Sequence, residues 1–139
     1  MTGCRANRPP VGLCFRVRAD AGWVALTPVH AKTALAASLI CATAYAEGRA
    51  IGFVRAVGDG IMYFYICDLI VDEAYRGQGI ATALMEHLMQ QIGTLAPQGA
   101  TLALMSAEGM EALYKKFGFV ARPNDGYGAG MTLFLEPSA

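Results

Sequence analysis

Between Ile61 and Met105 the chain passes through an apolar run, a loop with two glycines, an amphipathic run and a second apolar run. That succession narrows the fold more than any other feature. IMYFYICDLIV (61–71) is rich in β-branched and aromatic residues and reads as a buried strand. From Ile80 the residues Ile80, Leu84, Leu88 and Ile92 recur at every fourth place, with Thr82, Glu86, Gln90 and Gln91 off the stripe. That spacing predicts a helix ending near Gly93. ATLALM (100–105) is again strand-like. Strand, helix, strand in this order demands a parallel pair joined by a right-handed crossover.

Upstream, SLICATAYA (38–46), AIGFVRAV (50–57) and 61–71 are separated by Glu47-Gly48-Arg49 and Gly58-Asp59-Gly60, the turn chemistry of an antiparallel meander. Thr27-Pro28 marks a helix start, a capping hydroxyl followed by proline, with the helix running to about Ala37. The alternation in LCFRVRA predicts a first strand just after Gly12. Downstream, Met110, Leu113, Tyr114 and Phe117 share one helical face that Gly118 closes. FVAR (119–122) and MTLFLE (131–136) are expected to pair as a last hairpin across the loop 122–130, which either covers a site or merely connects. The fold class is α/β (α+β): a single-domain mixed sheet with helices on both faces. Residues 1–11 are expected to be a flexible lead-in and 12–139 one domain.

The chain has 139 residues, is 55% hydrophobic and 16% charged, and has a mean hydropathy of +0.37, so a disordered solvating chain is excluded. No apolar run approaches the ~20 residues of a membrane span. Eleven basic residues balance eleven acidic ones, which lacks the excess of a general nucleic-acid binder. Arg5, Arg8, Arg16 and Arg18 gather in the first 18 residues with no acid among them and read as a solvated arm. Cys4, Cys14, Cys41 and Cys67 have no metal-ligand or disulfide spacing, and the first ten residues lack the apolar core of a signal peptide. A reducing, cytoplasmic setting is expected, with no membrane partner, no nucleic acid and no metal.

Arg76-Gly77-Gln78-Gly79-Ile80-Ala81 opens the helix after the 61–71 strand. The first turn of a helix leaves backbone N–H groups unpaired and carries about half a positive charge. Gly77 and Gly79 remove side chains that would hold a phosphate away, and Arg76 adds a forked cation. The arrangement suits a pyrophosphate. It half-matches a dinucleotide-binding loop. Thr82 stands where that loop needs a third glycine, however, no acid follows about 20 residues later, and the motif follows a meander.

This segment resembles the GNAT superfamily of acetyl-CoA-dependent N-acetyltransferases, whose signature Arg/Gln-x-x-Gly-x-Gly/Ala is supplied by Arg76, Gly79 and Ala81. Leu69 and Val71 match the strand before it, and Tyr114-Lys-Lys-Phe-Gly-Phe119 matches a later family feature. The resemblance implies that the fourth and fifth strands splay and admit the acetyl-pantetheine arm. Backbone groups of Leu69, Ile70 and Val71 would pair with the arm, the Leu69 N–H polarising the thioester carbonyl. Arg76, Gly77, Gln78, Gly79, Ile80, Ala81 and Thr82 would hold the pyrophosphate, and Tyr114 would protonate the departing thiolate. Asp68 is the one acid within its strand and is a candidate base or a structural anchor. Strict alternation turns Tyr63, Tyr65 and Cys67 toward the cleft and Asp68 away, unless a bulge rotates it. Trp23, Tyr63, Tyr65 and Cys67 are candidates for an acceptor pocket. Ala107 stands where the family often has Asn. Two functions remain open: transfer of acetyl to a small-molecule amine or a peptide amino group, and acyl-CoA binding without turnover by a sensor domain. A homodimer is an assembly common in this fold.

Overall fold

The computed structural model describes residues 2–20, 22 and 26–135. The chain divides into two compact units, Met1–Leu104 and Met105–Ala139. The first unit holds a five-stranded sheet in the order β1 (Thr2–Arg5), β2 (Ile40–Ala46), β3 (Arg49–Gly58), β4 (Tyr63–Val71), β5 (Thr101–Leu104). The first four strands pair antiparallel and β4–β5 is parallel. Helix α3 (Ile80–Leu95) supplies the crossover the sequence demands.

Two expectations at the N-terminus are corrected. Residues 1–11 are not simply a loose lead-in, because Thr2–Arg5 add a strand to the edge of β2 and the Arg5 guanidinium lies 4.7 Å from the Tyr45 ring centroid. The strand expected after Gly12 is helix α1 (Val11–Asp20). Its apolar residues satisfy both periods, and packing decides between them. Leu13, Cys14 and Val17 lie on one helical face and bury against Leu35 of helix α2 (Pro28–Ala36) and Ala50, Phe53 and Ile70 of the sheet. Thr27 caps α2 as its sequence implies, its hydroxyl accepting from the His30 N–H at 3.2 Å.

Phe53 faces α1 and α2, so Val54, the next residue of β3, points to the opposite face, where it is fully buried on the side of α3. Leu84, Met85 and Leu88 of α3 are equally buried. Glu47 and Gly48, both at positive φ, make the two-residue turn between β2 and β3. Asp59 gathers the N–H groups of Tyr63, Ile61 and Met62 at 3.1, 2.8 and 2.7 Å, which fixes the β3–β4 turn and holds its carboxyl below the usual range.

The basic residues near the N-terminus are structural. Arg8 donates to the carbonyls of Leu35 and Ala36 at the end of α2, where a cation also complements the helix dipole. Arg16 and Arg18 leave α1 on either side of Val17 and reach Asp72 and Asp68 at 3.1 and 3.3 Å. Arg8, Arg16 and Arg18 therefore answer acids and carbonyls of the fold itself, while Arg5 lies over the Tyr45 ring.

The second unit holds helix α4 (Glu111–Lys115). The hairpin expected from 119–122 and 131–136 does not form among the described residues. Only Asn124 and Tyr127 bridge, exchanging backbone hydrogen bonds at 3.1 and 2.6 Å. Arg122 instead closes the loop on itself, donating to the Gly128 carbonyl at 2.7 Å. Met131, Leu133, Phe134 and Leu135 are left exposed.

Candidate functional site

Strand β4 carries Tyr63, Tyr65, Cys67, Asp68, Leu69, Ile70 and Val71 of the expected residues, and its two ends behave differently. From Tyr63 to Ile66 it pairs with β5, the last partners being Ile66 and Leu104. Beyond Ile66 that edge of β4 has no β5 partner. Residues 67–71 thus lie along an open backbone edge, the feature an extended arm would need.

The irregularity of β4 falls within this open stretch. Phe53 opposes Ile70 and Arg55 opposes Cys67, so Asp68 and Leu69 together face the single residue Val54. This is a bulge, and Asp68 adopts a left-handed backbone with φ of 58°. The condition the sequence left open is met. Asp68 is turned toward the α1 side, where Arg55 Nε meets Oδ2 at 2.7 Å and Arg18 meets Oδ1 at 3.3 Å. Both carboxylate oxygens are engaged by guanidinium groups. Of the two roles considered for Asp68, the geometry matches the anchor. Arg18 and Arg55 are functional candidates that sequence reasoning passed over. A signal existed: an arginine inside AIGFVRAV has to find a partner when the strand is buried.

Tyr65 and Cys67 oppose Val57 and Arg55 and share their face, and Tyr63 follows by alternation. Tyr63 and Tyr65 are 61% and 40% exposed, so the face is open at this end of the strand. Burial, and Asp68 next to it, push the Cys67 thiol up to about 11. That shift keeps Cys67 a neutral thiol at neutral pH, suited to lining a pocket. Trp23 lies outside the described residues.

After β4, Asp72 caps a 3-10 turn over Glu73–Tyr75 and the loop 76–79 leads into α3. Gly77 and Gly79 have φ of 78° and 79°, and a Cβ built on either would meet nothing within 4 Å. Gly79 is the N-cap of α3 and provides no side-chain cap. The first intrahelical bond is from Ala83 N–H to the Gly79 carbonyl, at 3.1 Å. The amides at the start of the helix thus face open space that no side chain at 77 or 79 fills, as a pyrophosphate requires. Arg76 is exposed and donates through Nε to the Val71 carbonyl at 3.0 Å, leaving the rest of its fork for a ligand. That bond also occupies one backbone group expected to pair with the arm. Among the described residues no group of three or more His, Cys, Asp or Glu is placed to hold a metal ion, and no helix is long and apolar enough to cross a membrane.

In the second unit Tyr114 is buried on α4, and burial pushes its phenol above the ordinary value. Its position is set by the helix end. The Phe119 N–H bonds the Tyr114 carbonyl and the Gly118 N–H bonds that of Lys115, with Gly118 at φ 92°. This is a Schellman cap, and the Tyr114–Phe119 edge contact at 6.4 Å is its apolar clasp. Gly118→Ala should therefore lower the melting free energy by about 1 kcal/mol, measured by thermal or urea unfolding. A neutral result would show that the clasp does not depend on the left-handed residue.

A β4–β5 pair that ends at Ile66, with a glycine loop opening the following helix, accompanies membership of a defined class, and the chain belongs to it. Residues 37–121 match the model of the acetyltransferase (GNAT) domain family. A probable acetyltransferase of unknown function from meticillin-resistant Staphylococcus aureus superposes with a TM-score of 0.85 at 30% identity, covering 97% of this chain and 100% of that one. GCN5-related N-acetyltransferase 1, chloroplastic, of Arabidopsis thaliana is 32% identical over 76 residues, 55% of this chain and 38% of that protein. Serotonin N-acetyltransferase 2, chloroplastic, of Oryza sativa subsp. japonica is 31% identical over 78 residues, again 55% of this chain and 38% of that protein. The chain thus spans well under half the length of these two relatives.

Proposed function

We propose that this domain transfers an acetyl group from acetyl-CoA to the amino group of a small molecule, or of a peptide, by direct attack within a ternary complex. The observation that carries this reading is the coincidence of two features on one strand–helix unit: β4 loses its β5 partner after Ile66, and α3 begins with uncapped amides behind Gly77 and Gly79. An extended acyl arm and a diphosphate are the two ends of one ligand.

Acetyl-CoA, when bound, supplies an activated thioester. The amides of Gly77 to Thr82, with Arg76, hold the diphosphate, and the open edge at Leu69 to Val71 pairs with the arm. The Leu69 N–H donates to the thioester oxygen as negative charge develops there. The amine nitrogen forms the new bond to the acetyl carbon, the carbon–sulfur bond breaks, and Tyr114 gives its proton to the departing sulfur. Water takes the proton the amine must lose, because Asp68 is engaged by two arginines. Much of the acceleration then comes from holding two reactants in place. Tyr63 and Tyr65 offer aromatic surface to an acceptor with an apolar body, in keeping with a relative whose name gives serotonin. A reducing cytoplasm, supported by four free cysteines, and a homodimer belong to the same reading.

The test is titration of labelled protein with acetyl-CoA, followed by thiol release with a panel of amines. Perturbed amides at 76–81 and turnover with some amines are expected; unperturbed amides would overturn the proposal. The engaged Asp68 favours a second reading, an acyl-CoA-binding sensor, which persistent silence despite binding would support. Arg76→Ala should weaken acetyl-CoA about tenfold by losing a charge-assisted contact, and the loss should shrink at high salt. Calorimetry showing unchanged affinity would remove Arg76 from the cradle.

A further inference from the structure

We infer that Arg18 and Arg55 act through Asp68 as a positioning clamp that sets the β4 bulge, and with it the direction of the Leu69 N–H; the inference rests on the acetyltransferase reading above. Asp68 is one of two described residues other than glycine at positive φ, a conformation that costs free energy and persists only when its surroundings hold it. Its carboxylate is held from two sides, Oδ1 by Arg18 of α1 at 3.3 Å and Oδ2 by Arg55 of β3 at 2.7 Å. Arg55 is itself tied to the end of α2, donating to the Ala34 carbonyl and the Ser38 hydroxyl, each at 3.2 Å. Two helices and a neighbouring strand therefore converge on one residue. The three charged side chains are 14–21% exposed, and ion pairs so far from water add little net stability. Their location at the break in the β3–β4 register points to geometry as their contribution. Asp68 and Leu69 are the two residues facing Val54, so turning Asp68 turns the peptide group whose N–H is that of Leu69.

The experiment reads that direction without needing the acceptor. Acetyl-CoA labelled with 13C at the thioester carbonyl is bound to the full chain, and its carbonyl stretch is recorded by infrared difference spectroscopy beside Kd and melting temperature. Wild type should shift the stretch to lower wavenumber than in water. Asp68→Ala and Arg55→Met should lose most of that shift with acetyl-CoA affinity kept within about twofold. Asp68→Asn, which tolerates the left-handed backbone and retains an acceptor for Arg55, should keep it. A structural role alone would lower the melting temperature and leave the stretch at its wild-type position. Wild-type shifts in both Asp68→Ala and Arg55→Met would overturn the clamp; if Asp68→Ala does not fold, a wild-type shift in Arg55→Met does so alone. Failure of the wild type to bind acetyl-CoA would overturn the acetyltransferase reading itself, and the two failures are distinguishable.

Discussion

Gly79→Val is expected to raise the Kd for acetyl-CoA by about 100-fold or more while the sheet stays folded. Two effects act in the same direction. Residue 79 sits at φ 79°, which a β-branched side chain tolerates at a cost of about 1–3 kcal/mol, so the loop must shift or remain strained. The new side chain also has no protein neighbour within 4 Å of its Cβ, so it projects into open space at the start of α3, where the proposed diphosphate would sit. Losing two charge-assisted amide contacts of about 1.5–3 kcal/mol each accounts for the factor. Circular dichroism should remain that of the wild type, because Gly79 lies outside the core. Calorimetry finding normal affinity in a folded variant would refute the cradle.

Tyr114→Phe is the second large effect. Turnover should fall by about 100-fold or more, the usual contribution of a positioned proton donor. The acetyl-CoA Kd should stay close to wild type, and the edge contact with Phe119 needs only the ring, so the melting temperature should barely change. The pH profile gives an independent check. Burial raises the phenol's pKa, so the protonated form persists through the neutral range into mild alkali. Wild-type activity should climb with pH as the amine is deprotonated and decline only at an alkaline pH above the ordinary tyrosine range, where the buried phenol ionises. In Tyr114→Phe that alkaline decline should vanish. Full activity in the variant would take Tyr114 out of the reaction.

The elements that were legible in the sequence are those whose evidence is local. Glu47-Gly48 demands a tight turn, Thr27-Pro28 starts a helix, and the fourfold spacing from Ile80 admits one reading only; all are found. LCFRVRA misled because Leu13, Phe15 and Val17 alternate while Leu13, Cys14 and Val17 also share a helical face. Only the apolar surface of Phe53 and Ile70 decided between them. The last hairpin misled because MTLFL has strand composition, yet a strand exists only where a partner's N–H and C=O groups meet it, and among the described residues none meets 131–135.

The sequence by itself determined the crossover and the glycine loop that opens α3, since both depend on backbone freedom and periodicity within a few consecutive residues. Tertiary structure alone decided what Asp68 does. Its partners Arg18 and Arg55 are 50 and 13 residues away, and no local pattern joins them. A carboxylate's chemistry depends on the charges that fold around it, and those are assembled only when helix α1 and strands β3 and β4 come together.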